Sequence, residues 1–185
     1  MIQSKQNLIE AIGSGNIYVE PLDPELISNS SIGLRLAEDY YLVDPVERMA
    51  VDRQEQYPEI IRQPLVDGKM LVKKDQVILS YTMESISVSN GFCAFLAGTS
   101  DLARLGVSVA ISHFVGAGFG RDGPQQLILE IETRAVKEIL LVPGMRIAHL
   151  VVCAVDNAHD EGKDPAGHWK GSGPHSTLAG RLFNI

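Results

Sequence analysis

Apolar and polar residues alternate along most of the chain, and this alternation predicts a protein built mainly of β-strands. Period-two runs occur in SIGLRLAEDYYLV, ESISVSNGFCAFLAG, QQLILEIET and MRIAHLVVCAV, with turn residues between them. Two helices are predicted beside the strands, one over residues 4–13 that Ser4 can cap and one short turn in SDLARLG that Gly106 ends. Many short strands at close spacing favour a sandwich or barrel over a parallel α/β sheet.

Three local patterns make more specific predictions. The run VSVAISHFV is predicted to form one continuous strand. In the first helix, Leu8, Ile9 and Ile12 are expected to share the buried face. Cys93 and Cys153 lie in apolar runs, so we expect two buried thiols that pack as small hydrophobic side chains, with no disulfide framework.

The length of 185 residues suits one domain that spans residues 1–185. Residues 44–69 are polar and contain three prolines, which indicates an insertion, a long loop or a hairpin outside the core. Residues 156–185 form a polar tail rich in glycine and histidine. We expect this tail to be ordered only where it docks, closing over a site.

Charge excludes two classes of partner. The chain has 16 basic and 23 acidic residues, a net charge of −7, which disfavours a general binder of nucleic acid or of anionic membranes. Fourteen of the acidic residues fall within residues 1–97, so an anion site is expected in the second half. The first residues are too polar for a signal peptide and no apolar run reaches spanning length, which predicts a cytoplasmic protein.

Several standard sites are excluded by their motifs. The chain has no P-loop, and GAGFG precedes a strand where a dinucleotide fingerprint would have to open a helix. GTSDL is not a nucleophile elbow. The five histidines lack the spacing of a zinc site, and the zinc-deaminase signature is missing, so we expect no zinc.

Glu130 is the acid of greatest interest, because it lies inside the strand LILEIE. A period-two strand places Leu127, Leu129 and Ile131 on one face and Glu130 on the other. If that second face meets solvent, Glu130 is an ordinary exposed carboxylate. If it lines a cleft, a carboxyl group in half-apolar surroundings suits general acid–base work near neutral pH.

Ser100 and Arg104 form a second candidate cluster. They are four residues apart in SDLAR, so one helical turn places them on the same side. Arg104 could then clamp an anion or a carboxylate. The alternative is structural, with Ser100 capping the helix and Arg104 solvated.

Taken together, these segments resemble the dCTP deaminase family, the deaminase branch of the trimeric dUTPase-like β-barrels. GTSDLARLGV is similar to the family's G-[RK]-S-S-L-A-R-L-G-L, and VPGMRIAHLVV to W-P-G-M-x-I-x-Q-L. AGFGRDGPQQLILEIE resembles P-G-F/W…I-T-L-E-[LF], with Glu130 on the catalytic glutamate. VKKDQVILSYTMESISV falls where the family has H-P-G-E-x-x-L-x-x-T-x-E, and HWKGSGPHSTLAGR resembles its tail motif.

The resemblance implies a distorted, jelly-roll-like β-barrel and a homotrimer with active sites at subunit interfaces. It implies hydrolytic deamination of a pyrimidine deoxynucleotide, dCTP or a related cytosine nucleotide, with Glu130 as general acid/base and Ser100 and Arg104 beside it. Magnesium would be carried by the phosphates. The implied substrate-binding residues are Thr99, Asp101, Ser112, His113, Val115, Gly116, His168, Trp169, Lys170 and Ser172.

The chain also departs from the family's motifs. Thr99 replaces a basic residue, Asp101 replaces a serine, and His168 replaces the lysine of the tail, for which Lys170 could compensate. Gly116 falls where the dUTPase branch has the acid that activates water, which argues against dUTP pyrophosphatase activity. The weakened phosphate contacts leave two alternatives: a non-catalytic nucleotide-binding or regulatory relative, and a purely structural barrel.

Overall fold

The computed structural model describes residues 1–50, 53 and 56–156. These residues contain helices α1 (Lys5–Gly13) and α2 (Ser100–Arg104) and a short 3₁₀ turn at Pro24–Leu26. The strands, in chain order, are β1 Ile17–Glu20, β2 Ile32–Val43, β3 Ile60–Arg62, β4 Met70–Lys73, β5 Ile78–Val88, β6 Phe92–Gly98, β7 Val107–Ser108, β8 Phe114–Val115, β9 Gln125–Thr133, β10 Glu138–Leu141 and β11 Arg146–Ala154.

The described strands form one large antiparallel sheet and one small one. The large sheet has nine strands in the order β7-β9-β5-β2-β11-β6-β8, with β1 joined to β5 and β3 to β2. It curls into a half-barrel, and β4 pairs with β10 as a separate two-stranded sheet. The predicted mainly β, barrel-like fold is confirmed.

Alternating burial along the strands builds the core, as the period-two pattern predicted. In β9, Leu129 and Ile131 are fully buried while the residues between them are half-buried. In β2, Leu34 and Leu36 are likewise fully buried. Burial of each such side chain contributes roughly 1.5–3 kcal/mol, so these positions fix which face of each strand turns inward.

Helix α1 forms where the sequence predicted it, but its buried face is different. The Ser4 side chain accepts a hydrogen bond from the Asn7 amide at 3.3 Å, which caps the helix. Leu8 and Ala11 are the buried residues, whereas Ile9 is half exposed. The expectation that Ile9 shares the buried face was therefore wrong, because the sheet covers a narrower stripe of the helix.

The run VSVAISHFV does not form one continuous strand, contrary to the prediction. It gives two separate two-residue strands, β7 beside β9 and β8 beside β6. Between them the amides of Ile111 and Ser112 donate to the Glu130 carboxylate instead of to a neighbouring strand. A side-chain acceptor thus interrupts the ladder, which local alternation could not reveal.

The remaining peripheral segments are simpler. Within residues 44–69, β3 pairs antiparallel with the end of β2, and the Tyr40 hydroxyl donates to the Pro64 carbonyl at 2.8 Å. Cys93 and Cys153 are half-buried, where the sequence led us to expect buried thiols. In the described part of the chain, no helix has the length and apolar character needed to cross a membrane.

Candidate active site

Glu130 lies in the middle of β9, on the face that is not packed into the core. Its side chain is half-buried, and its Oε2 accepts hydrogen bonds from the amides of Ile111 at 2.9 Å and Ser112 at 3.0 Å. The fully buried Leu129 and Ile131 on either side hold the strand in this orientation. The Glu130 carboxylate is therefore partly shielded from solvent, and backbone donors hold one of its oxygens.

The segment that follows α2 connects Glu130 to the other end of the sheet. Strand β7 pairs with β9 at Glu132 and Thr133, and the chain then passes Glu130 before it reaches β8. His113 connects the segment between β7 and β8 to β6. Its Nδ1 lies 2.9 Å from the Leu96 carbonyl, and its backbone carbonyl accepts a hydrogen bond from the Leu96 amide at 2.7 Å. Backbone groups of residues 110–113 are thereby held beside the carboxylate.

Helix α2 presents Ser100 and Arg104 on one side, as their spacing predicted. Arg104 Nη2 lies 3.4 Å from Ser100 Oγ, and Arg104 Nη1 lies 3.7 Å from Asp101 Oδ1. The Arg104 and Asp101 side chains are 75% and 80% exposed. Thr99, and not Ser100, is the residue that precedes the helix, and it makes no side-chain cap.

Gly106 stops α2 and turns the chain towards β7. It has φ of +77°, a conformation that favours glycine, and a Cβ there would stand 2.4 Å from the Ala135 Cβ. Its carbonyl accepts from the Arg134 amide at 2.9 Å. The exposed helix is in this way anchored to the end of the strand that carries Glu130.

The two candidate clusters are not bonded to each other within one chain. Among the described residues, no hydrogen bond or ion pair joins Glu130 to Ser100 or Arg104. Each cluster instead bonds to its own surroundings. Within one chain, Glu130 and the α2 pair are therefore two separate bonded clusters.

A buried polar network at the beginning of β9 was missed by sequence reasoning. Glu84 is 1% exposed, and its carboxylate accepts from Arg35 Nε at 2.7 Å and from the Arg35 amide at 2.9 Å. Thr82 Oγ1 donates to the Glu84 carbonyl at 2.7 Å and accepts from the Leu127 amide at 3.0 Å. The signal was present in the T-x-E of the resemblance, to which the sequence alone assigned no role.

This network lies where two bulges coincide. The pairing register shifts between Tyr81 and Ser85 on β5 and between Leu36 and Tyr40 on β2. Bulges leave backbone groups unpaired, and here the Thr82 hydroxyl and the Glu84 carboxylate satisfy them. The network thus fixes the register of β9 three residues before Glu130.

Two tyrosine rings, of Tyr41 and Tyr81, lie on the same face of the sheet as Glu130. Leu79 is opposite Glu130, Tyr81 is opposite Ile128, and the Tyr41 ring meets the Tyr81 ring edge-on at 6.3 Å. Burial, followed by the charges of Tyr41 and Asp39, raises the pKa of Tyr81 to about 12. Tyr81 therefore lies in a partly desolvated part of the face that also carries Glu130.

The other residues predicted to contact substrate differ in their exposure to solvent. Ser112 and His113 are exposed beside Glu130, whereas Gly116 is half-buried. Thr99 and Val115 are each 6% exposed, which leaves their side chains little surface for a ligand. His168, Trp169, Lys170 and Ser172 lie outside the described residues.

The side chains of the described residues indicate how a magnesium ion could be held. Over residues 1–50, 53 and 56–156, no group of three or more histidine, cysteine, aspartate or glutamate side chains is placed to hold an ion. Asp101 offers a single exposed carboxylate. This arrangement fits an ion that arrives on phosphate oxygens, since magnesium commonly takes one or two protein carboxylates plus substrate phosphates.

Comparison with known proteins agrees with the resemblance. A family model described as dCTP deaminase-like matches residues 2–155. The chain belongs to the dCTP deaminase-like family. The match includes Ser100, Arg104 and Glu130, and it ends before the tail.

Individual relatives of this dCTP deaminase-like chain are moderately similar. The dCTP deaminase, dUMP-forming, of Sulfurihydrogenibium sp. is 29% identical over 185 residues, which cover 99% of this chain and 98% of that protein. The protein of the same name from Thermobifida fusca is 30% identical over 153 residues, which cover 81% of this chain and 76% of that protein.

One solved structure supports the fold. The crystal structure of 2'-deoxycytidine 5'-triphosphate deaminase from Agrobacterium tumefaciens matches with a TM-score of 0.60 and 19% identity. The match covers 82% of this chain and 47% of that one, so this chain spans less than half the length of the solved chain.

Proposed function

We propose that this protein is a hydrolytic deaminase of a deoxycytidine nucleotide, dCTP first, with Glu130 as its general acid/base. The observation that carries the proposal is the placement of Glu130, half-buried in β9 with one carboxylate oxygen held by two backbone amides. The family match and the names of the relatives supply the substrate class.

The reaction asks one carboxyl group to move a proton between two positions. Water adds to C4 of cytosine as its proton passes through Glu130 to N3, and the proton of the new hydroxyl group then passes through Glu130 to the amino group, which leaves as ammonia as the C4 carbonyl forms. Glu130 Oε2 is occupied by the Ile111 and Ser112 amides, and Oε1 has no hydrogen bond to any other described residue. This suits Oε1 to exchange the proton while Oε2 keeps the group in place.

We further propose that Ser100 and Arg104 act on Glu130 across the interface of a homotrimer. The exposure of α2 and the missing contact to Glu130 within the chain support this arrangement. Ser100 would then position the water, and the Arg104 guanidinium would hold Glu130 in its working charge state. Each closed trimer would contain three such sites, because one type of interface repeats around the ring.

The substrate is read by the segment beside Glu130. The backbone of residues 110–117 would contact the pyrimidine edge, with the exposed Ser112 and His113 at its rim. The tail residues His168, Trp169, Lys170 and Ser172 would close over the phosphates. A magnesium ion on the phosphates would neutralise their charge. Asp101, which contacts Arg104, is an exposed carboxylate in this part of the chain.

We propose dUTP as the product, with dUMP as the second candidate. The relatives are named as dUMP-forming, and dUMP requires hydrolysis of a phosphoanhydride in addition to deamination. In this chain Gly116 stands where the resemblance places the acid for that second step. Separation of the nucleotide products, with an assay for pyrophosphate, distinguishes the two outcomes.

The test measures ammonia released from dCTP, dCMP and deoxycytidine in the presence of magnesium. We expect turnover of at least one substrate, and Glu130→Gln should reduce it by about 10²–10⁴-fold or more. Glu132→Gln is the matched control, because Glu132 lies on the same strand and face and pairs with Arg134. Folded protein that turns over none of the three substrates would contradict the proposal.

A non-catalytic nucleotide-binding or regulatory protein is the alternative function. Thr99 and Asp101 stand where the resemblance places a basic residue and a serine. These substitutions change the phosphate contacts, so the chain could bind a nucleotide without catalysing its deamination. This alternative predicts that dCTP raises the melting temperature without releasing ammonia. Turnover together with tight binding excludes it.

A further inference from the structure

Cys93 and Cys153 face each other across two neighbouring strands. The register of β6 and β11 pairs them directly, and opposed residues of an antiparallel pair project from the same face of the sheet. Both side chains are half-buried, so reagents can reach them. Two thiols that are distant in the sequence therefore form a pair on the surface.

Opposed residues in an antiparallel sheet form either hydrogen-bonded or non-hydrogen-bonded pairs, and the type determines the distance between their side chains. The Val155 amide donates to the Gly91 carbonyl at 2.9 Å, two positions along the same ladder. On the other side of β11, the Gln3 amide donates to the Val152 carbonyl and the Ala154 amide to the Met1 carbonyl. The backbone groups of Cys153 therefore point towards β6, and Cys93 and Cys153 form a hydrogen-bonded pair.

That class separates the side chains too far for an unstrained disulfide. Hydrogen-bonded pairs have Cα atoms about 5.5 Å apart and Cβ atoms towards the upper end of about 4.5–5.5 Å. A disulfide needs Cβ atoms about 3.5–4.5 Å apart, so the strands would have to approach each other. An atom placed between the two sulfurs removes this requirement.

We propose that Cys93 and Cys153 form a two-thiolate site for one soft, two-coordinate cation of the Cu(I) class. Thiolate selects soft metals, and two metal–sulfur bonds of about 2.3 Å span roughly 4.6 Å, which suits the separated side chains. On binding, both thiols release their protons and both sulfurs donate an electron pair. The complex carries one negative charge, and no oxidant is consumed.

The surroundings select the kind of ion. The next pair along the same face is Phe95 and Val151, and the Phe95 ring contacts Phe114 at 5.5 Å between centroids. The residues that the structure describes offer no third histidine, cysteine or carboxylate ligand there. Zinc takes four ligands and magnesium takes oxygen, so a two-sulfur site in apolar surroundings favours a linear soft ion over either.

The surroundings of Cys93 disfavour its ionised form. Burial, and then the adjacent Cys153, raises the pKa of Cys93. A soft cation that binds the thiolate offsets both effects at once.

The test titrates the reduced full-length protein with Ag(I), a redox-inert ion of the same coordination preference, in buffer with excess imidazole to occupy histidines. We expect one ion per chain by native mass spectrometry and a rise in melting temperature. Cys93→Ser and Cys153→Ser should each lose the 1:1 complex and the rise. Because the chain has two cysteines, no other thiol competes.

Two results would overturn the site. Binding of two ions per chain, or a 1:1 complex of unchanged affinity in either single variant, would show independent thiols. Rapid formation of an intramolecular disulfide with oxidised glutathione, seen as a loss of two hydrogens, would contradict the separation of the pair. Circular dichroism of each variant, with Cys153→Ala as a second substitution, confirms that a lost complex reflects lost ligands.

Discussion

Strand β9 and helix α2 carry the candidate catalytic residues in opposite physical settings. Glu130 lies in the middle of a nine-residue strand, between fully buried neighbours and with two amide donors on its carboxylate. Arg104 ends a five-residue helix and is 75% exposed. The fold of a single chain thus holds Glu130 in place, whereas the position of Arg104 depends on the ligand or the neighbouring chain that binds to α2.

The largest effect should come from breaking the buried Glu84–Arg35 network. Glu84→Ala removes the carboxylate that accepts from the Arg35 Nε and amide, and it should lower the free energy of unfolding by about 3 kcal/mol. This is the low end for a broken buried pair, because the Arg35 side chain is 23% exposed and keeps its bond to the Pro21 carbonyl. Urea denaturation measures the change. Glu84→Gln keeps an acceptor and should lose less.

Arg104→Ala is the matched control for this comparison. Its side chain is exposed and pairs within its own helix, so the free energy of unfolding should change by no more than about 0.5 kcal/mol. If Arg104→Ala destabilises the chain as much as Glu84→Ala does, the contrast between a fold-built half and an exposed half is wrong.

Sequence reasoning found the parts of the site that depend on local periodicity. The alternation around Glu130 placed it on the correct face, and the four-residue spacing placed Ser100 beside Arg104, because both follow from the geometry of one element. The interrupted strand at Ile111 could not be found in this way. Its cause is a carboxylate 19 residues further along the chain.

Two other features were beyond local patterns for the same reason. The Glu84–Arg35 pair joins positions 49 residues apart, and the pairing of Cys93 with Cys153 depends on the register of two strands. Polar residues in a strand pattern look alike whether they face solvent or satisfy a bulge. Three-dimensional pairing decides which of the two holds.

The next effect tests whether the Glu130 face is desolvated. Tyr81 should titrate at about 12, above the ordinary value of 10, when phenolate absorbance is followed against pH. Because the folded pKa is raised, Tyr81 contributes stability below pH 10 that is lost as pH rises towards 12. Tyr81→Phe should remove this transition. A Tyr81 that titrates with the exposed tyrosines would place the face in bulk solvent.

The smallest effect concerns the exposed half. Asp101 is an exposed carboxylate where the resemblance places a serine beside the substrate phosphates, and its charge repels them, so Asp101→Ser should lower the KM for dCTP. Exposed ion pairs are worth about 0.2–1 kcal/mol, which predicts a change of roughly 1.4- to 5-fold at an unchanged kcat. A rise in KM would instead give Asp101 a supporting role in binding.

The central claim is that Glu130 of one chain works with Ser100 and Arg104 of another, and subunit complementation tests it most directly. Glu130→Gln and Arg104→Ala are prepared separately, mixed in equal amounts, unfolded and refolded together, and assayed for ammonia release from dCTP. Each variant alone should be nearly inactive. In a random trimer, about one quarter of the sites then combine an intact Glu130 with an intact Arg104.

The account predicts that the mixture recovers about one quarter of the activity of the unmodified protein refolded in the same way. Size-exclusion chromatography confirms that the mixed chains assemble. A mixture that assembles and remains as inactive as its two parents would contradict the account, because it would place all three residues in a site formed by one chain.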